Sequence, residues 1–281
     1  MTMTEPNNSA TPRNVVPGSV SQVGITIKYT FLDYLRSRRF AILMAITLII
    51  SVLLTILVGY YRPPSMVKST TLDFYSTWWG MFSTDLIVIF GIFFGGDAIA
   101  AEFQNKTGYF TIPNPIRRSS IYIGKYIAAF IAATIILVVY FLIAIINGVY
   151  YYGATVPYQL GESFLLGWFY LLAVLGFTFM FSSLFKSSSY SILVSFLVLF
   201  LGFGIIQGVI EALTNLEPWF ILTYGSSIIA NVLSTTYPTT STRFGVTIYV
   251  ATIPEGLAIM GIYFVVTAVL GLFLFERKEF N

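Results

Sequence analysis

The sequence predicts an all-α integral membrane fold: six transmembrane helices, an amphipathic interfacial helix before them, and a re-entrant or interfacial outer segment ahead of the last span. Three observations carry this. Of 281 residues, 57% are hydrophobic and 10% charged, with a mean hydropathy of +0.82, far above the roughly 45–50% apolar content of a soluble domain. Runs of about twenty apolar residues recur, each able to cross roughly 30 Å of hydrocarbon as a helix whose backbone groups pair internally. The 15 basic residues also sort by loop. With the N-terminus inside, Arg13, Lys28, Arg36, Arg38, Arg39, Lys106, Arg117, Arg118, Lys125, Lys186, Arg277 and Lys278 lie on the inner side, and Arg62, Lys68 and Arg243 outside. That asymmetry places both termini in the cytoplasm.

Residues 1–18, "MTMTEPNNSATPRNVVPG", are polar and rich in Pro and Asn, without the apolar core of a signal peptide; they read as a disordered cytoplasmic tail. Residues 19–281 form a single membrane domain. It opens on "SQVGITIKYTFLDYLRSRRF", where Val23, Ile27, Phe31 and Leu35 recur every fourth residue while Lys28, Asp33, Arg36 and Arg38 fall off that stripe, the pattern of a helix lying in the interface. Spans are expected at about 40–60, 79–100, 121–147, 164–185, 189–210 and 256–275. Tyr60, Tyr61, Trp78, Trp79 and Tyr150 to Tyr152 sit at the outer edges and read as interfacial anchors. Between about 211 and 255, the run "PWFILTYGSSIIANVL" is too short to span, hence the re-entrant or interfacial assignment.

Composition excludes several chemistries. The chain has no Cys and no His, which removes disulfides, thiolate nucleophiles and the usual zinc or haem ligands. No metal or cofactor site is expected, nor any catalytic residue. A net charge of +3 scattered over short loops is no nucleic-acid footprint. The nearest approach to a phosphate-binding loop, "SSIYIGKYI", has Ser119 in place of its first Gly and Tyr126 in place of its hydroxyl residue.

Against this apolar background, "GGDAIAAEFQNKTGYFTIPNPIRRSSIYIGK" (95–125) gathers Asp97, Glu102, Lys106, Arg117, Arg118 and Lys125. It is the largest inner loop, about 98–120, with a short helix expected from Ala98 to Lys106, a break at Gly108, and an exit stiffened by Pro113 and Pro115. Asp97 and Lys125 mark the inner membrane edge and read as structural pairing residues.

These residues resemble the transmembrane permease subunits of ABC-2-type ATP-binding-cassette transporters. The pattern there is an acidic residue after the second span, a Glu, a Gly/Thr pair, a Pro followed by a basic residue, and a Gly-Lys opening the third span. Here these are Asp97, Glu102, Thr107 with Gly108 in the order Thr-Gly, Pro115 with Arg117 and Arg118, and Gly124 with Lys125. The six-span layout, the amphipathic entry helix, the long last outer segment and the ending "FLFERKEF" extend the resemblance over most of the chain. It implies a plasma-membrane exporter subunit without an ATPase of its own. Two membrane subunits, identical or paralogous, would form the pathway, and separate cytoplasmic ATPase subunits would carry ATP and Mg²⁺. The coupling contact is then expected at Glu102, Lys106, Thr107, Gly108, Arg117 and Arg118.

Other polar residues in the spans compete with bland readings. Asp85 is a candidate for the substrate path or outer gate; with a span starting at Trp79 it lies only about 9 Å below the outer edge, where it could equally be interfacial. Gln207 and Glu211 share a helix face near the outer end of the fifth span and could line an exit or cap a helix end. Gly91 with Gly95, and Gly204 with Gly208, have the spacing of close helix contacts. The rival classes are an ATPase-independent carrier or channel, a membrane enzyme, and a non-transporting scaffold or immunity protein. A carrier would be expected to carry charged or broken helices at the midplane.

Overall fold

The computed structural model describes residues 18–63, 70–106, 117–214, 216–238, 240–243 and 246–278. The expected tail up to residue 17 and the loop residues Thr107, Gly108, Pro113 and Pro115 lie outside the described residues. Six helical segments are long and apolar enough to cross a membrane: Arg38–Tyr61, Thr71–Gln104, Arg118–Tyr152, Tyr158–Leu184, Ser188–Leu213 and Ile253–Arg277. The fold is all-α membrane.

The entry helix α1 (Ser19–Arg36) meets α2 (Arg38–Tyr61), the first span, at Ser37, whose extended backbone ends one helix and whose Oγ accepts from Phe40 N to start the next. The second span is three helices end to end, α3 (Thr71–Trp78), α4 (Gly80–Gly95) and α5 (Ala100–Gln104), opened by a capping box of Thr70 and Asp73. The third span, α6 (Arg118–Tyr152), runs 35 residues, or roughly 52 Å at 1.5 Å per residue, so it outreaches the hydrocarbon. The fourth is α7 (Tyr158–Leu184). In the fifth span, α8 (Ser188–Phe196) passes through a π-helical turn at Leu197–Gly202 into α9 (Phe203–Thr214). The last span is α12 (Ile253–Arg277), started by a capping box of Thr252 and Glu255.

Between α9 and α12 the chain makes two short helices, α10 (Leu222–Ser226) and α11 (Ile228–Asn231), then an antiparallel hairpin of β1 (Thr240–Arg243) and β2 (Val246–Tyr249) with Thr240 opposite Tyr249. Leu222, Tyr224, Ile228, Ile229 and Leu233 are buried, so this segment tucks into the bundle and does not lie flat upon it. Trp79 Nε1 donates to Ser163 Oγ at 2.9 Å, and Ser163 Oγ donates to Ile229 O at 2.5 Å, tying α11 to the ends of α4 and α7.

Spans two and four form the centre. Gly91 and Gly95 of α4 face Val174 and Thr178 of α7. A Cβ at Gly91 would come within 2.4 Å of Val174 Cγ1, and one at Gly95 within 2.1 Å of Thr178 Oγ1. This GxxxG pair is an intrachain helix contact, whereas Gly204 and Gly208 have open space where a Cβ would be. Trp78 and Trp79 are fully buried and stack on Tyr140, so they are core residues and not the interfacial anchors their position suggested. Tyr60, Tyr61 and Tyr150 are exposed, as an anchor would be.

Candidate coupling hub and transport cleft

The charged loop begins as a compact hub. The side chain of Asp97, just past α4, is buried and pairs with Arg39 of the first span. The next turn is capped from span four: Ile99 N and Ala100 N both donate to the buried Ser182 Oγ, each at 2.9 Å. Glu102 Oε1 lies 2.5 Å from Lys125 Nζ of α6, which also donates to Ala98 O at 2.9 Å. Phe103 packs edge-on against Phe275 of α12 at 6.3 Å, and Lys278 Nζ sits 4.2 Å above the Phe103 ring. Gln104 Oε1 accepts from Ser188 N at 2.7 Å, at the start of α8. The stretch Asp97–Gln104 therefore touches spans one, three, four, five and six.

A second set of bonds ties the loop's exit to the same base. Arg117 N donates to Gln22 Oε1 of α1 at 3.1 Å. Arg118 Nη1 donates to Glu276 O and Lys278 O, both at 2.9 Å, supplying a cation to the carbonyl end of α12. Lys278 Nζ in turn donates to Ser183 O and Phe185 O at 2.8 Å, closing the end of α7. Burial, with Lys186 nearby, brings its pKa down to about 8. Gly124 lets α1 lie close on α6: a Cβ there would meet Thr26 Cβ at 2.6 Å and Val23 O at 3.2 Å. The contact face of α1 thus centres on Gln22, Val23 and Thr26, while Leu35 of its apolar stripe is exposed.

Midway along the spans is a cleft of about 310 Å³ lined by Thr84, Asp85, Val88, Tyr170, Leu199, Phe200, Gly204, Gln207, Thr223 and Ser226. Asp85 is exposed along it. Its helical segment begins at Thr71, eight residues before Trp79, so Asp85 lies roughly 21 Å from the start of the segment at 1.5 Å per residue. Gln207 Nε2 donates to Glu211 Oε1 at 3.0 Å and Gln207 Oε1 accepts from Thr223 Oγ1 at 3.4 Å, so this pair joins α9 to α10 beside the cleft. Glu211 itself is buried.

The family model described as ABC-2 family transporter protein matches residues 26–280. The chain belongs to this family. No curated protein matches it. It is a multi-pass membrane permease subunit of an ABC transporter, the membrane component as distinct from the ATPase.

In this ABC-2 permease the residues singled out from sequence fall into separate places. Glu102, Arg118, Asp97 and Lys125 are structural ties at the hub; Asp97 and Lys125 are each paired, with Arg39 and Glu102 respectively. Lys106 and Arg117 are exposed, and Lys106, at φ 55°, ends the short helix. Asp85 and Gln207 share the cleft; Glu211 stands behind Gln207.

Ser182, Ser188, Phe275 and Lys278 were not legible as hub residues, because a serine in an apolar run signals no partner. Replacing Ser182 with alanine leaves two buried N–H groups without an acceptor and is expected to cost about 1–3 kcal/mol. Thermal unfolding of the purified permease checks this, and Ser182→Thr should retain most of the stability.

Proposed function

We propose that this chain is the permease of an ATP-driven exporter, moved through the loop at about 98–120 by separate cytoplasmic ATPase subunits that hold the ATP and Mg²⁺. Two such membrane subunits, copies or paralogues, face each other to form the pathway in the plasma membrane, with both termini cytoplasmic. The hub supports this most directly. A push on Asp97–Gln104 is delivered at once to five spans, through Arg39, Lys125, Ser182, Ser188 and Phe275. The exposed Lys106 and Arg117, with Thr107 and Gly108 between them in sequence, offer the contact surface, while Glu102 and Arg118 transmit the motion inward. The ATPase must grip this surface differently with and without nucleotide, since a ligand shifts a two-state equilibrium only by its differential affinity.

The pathway face is the one bearing Asp85. A carboxylate exposed halfway along a span is costly against hydrocarbon, by roughly 2.5–3.5 kcal/mol or more. That cost favours an arrangement in which the cleft turns toward water or the second subunit. Alternating access then opens the cleft to one side at a time.

The test is a mild-detergent pull-down of the chain from its native membrane. A stoichiometric ATP-binding-cassette subunit should co-purify, and the double charge reversal Lys106→Glu with Arg117→Glu should reduce its recovery several-fold while membrane insertion stays intact. Undiminished association in that variant would remove these two residues from the contact, and an intact native assembly without any ATPase would overturn the reading. Reversing Glu102 is a poorer probe, because it also disrupts the tie to Lys125.

A further inference from the structure

We infer that the cleft at Asp85 binds the cationic head of an organic ammonium compound, which makes the transported substrate a small organic cation. The inference rests on the permease reading above and assigns its substrate class. Among the described residues, Asp85 is the one carboxylate that lines the cleft, and no Lys or Arg lines it. The ion pairs formed among the described residues, Arg39 with Asp97 and Lys125 with Glu102, are both at the hub. Glu211, buried one turn beyond Gln207, adds to the negative potential of this side. A carboxylate held in such surroundings is matched by a mobile cation.

The walls specify the kind of cation. Phe200, half-buried in the lining, presents an aromatic ring, which attracts ammonium groups by its negative face. The hydroxyl of Tyr170, fully buried in the wall beside Ser226, makes no hydrogen bond of good geometry among the described residues. Thr84 and Thr223 add further oxygens, and Val88 and Leu199 supply apolar surface. A volume of about 310 Å³ is at the small end of ligand pockets and far larger than a bare metal ion needs. Carboxylate, aromatic ring and apolar wall together suit a substituted ammonium group, whose charge is spread beneath alkyl carbons.

The probe is choline, compared with its uncharged carbon isostere dimethylbutanol, by equilibrium binding to the full chain in lipid nanodiscs. Choline is expected to bind saturably and at least about tenfold more tightly than the isostere, with the preference lost in Asp85→Asn and kept in Asp85→Glu. Gly204→Leu gives an independent check: a Cβ there meets nothing within 4 Å, so the side chain should fill the cleft without disturbing the fold and abolish choline binding with no change of charge. Equal binding of the two isosteres, choline binding that survives Asp85→Asn, or no saturable choline binding would overturn the inference. The readout is independent of ATPase association, so its failure leaves the pull-down result standing.

Discussion

Leucine in place of Gly95 is expected to prevent recovery of a folded, monodisperse permease, and valine at both Gly91 and Gly95 to do the same. These glycines form the seam between spans two and four. The Cβ positions would lie 2.4 Å and 2.1 Å from Val174 and Thr178, whose branched side chains cannot swing clear within a packed helix pair. Overpacking costs about 1–3 kcal/mol per site and sometimes more, which is a large fraction of a marginal stability. Size-exclusion profiles and melting in detergent check the expectation. Gly208→Ala serves as the control, since a Cβ there meets open space; a Gly95→Leu protein as stable as that control would remove the seam from the account.

The second large effect is expected at the Glu102–Lys125 pair, whose side chains are 19% and 15% exposed. Lys125→Glu places two carboxylates together and strips Ala98 O of its donor, with an expected cost of about 3–5 kcal/mol for breaking a largely buried pair. Glu102→Lys should be similarly damaging, and the double swap should recover a substantial part of the loss. That recovery, read as thermal stability and as substrate-stimulated ATP hydrolysis of the assembled complex, distinguishes a specific tie from general sensitivity of the loop. A double variant no better than the worse single variant would show that the pair does not act as a unit.

The six spans were legible because each needs only a long apolar run, and the boundaries at Arg38 and Tyr61 follow from charge and aromatic content. Span two was read too short. Thr71 to Trp78 mixes Asp73, Ser76 and Thr77 with aromatics, so hydropathy fades there while the helix continues under the Thr70–Asp73 cap. That difference puts Asp85 farther along its helix than a start at Trp79 implies, and it puts Trp78 and Trp79 in the core. The hairpin was visible only as β-branched residues on both sides of Phe244 and Gly245, and the π-helical turn at Leu197–Gly202 leaves no mark in an apolar sequence. Charge density located the loop, but the partners of its charges could not be read, because the answering groups are single residues on spans distant in sequence: Arg39, Ser182, Phe275.

The hub also bears on how the chain is made. Asp97–Gln104 is synthesised early, yet Ser182, Ser188, Phe275 and Lys278 follow it by dozens of residues to well over a hundred. Until span six is made, the ion-pair partners Arg39 and Lys125 and the capping Ser182 are in place, but Phe103 lacks the cover of Phe275 and Lys278. Closure of the hub therefore waits for span six, so a chain stalled or slowly inserted before that span has a ready mark for quality control: an α5 that lacks its contacts with Phe275 and Lys278.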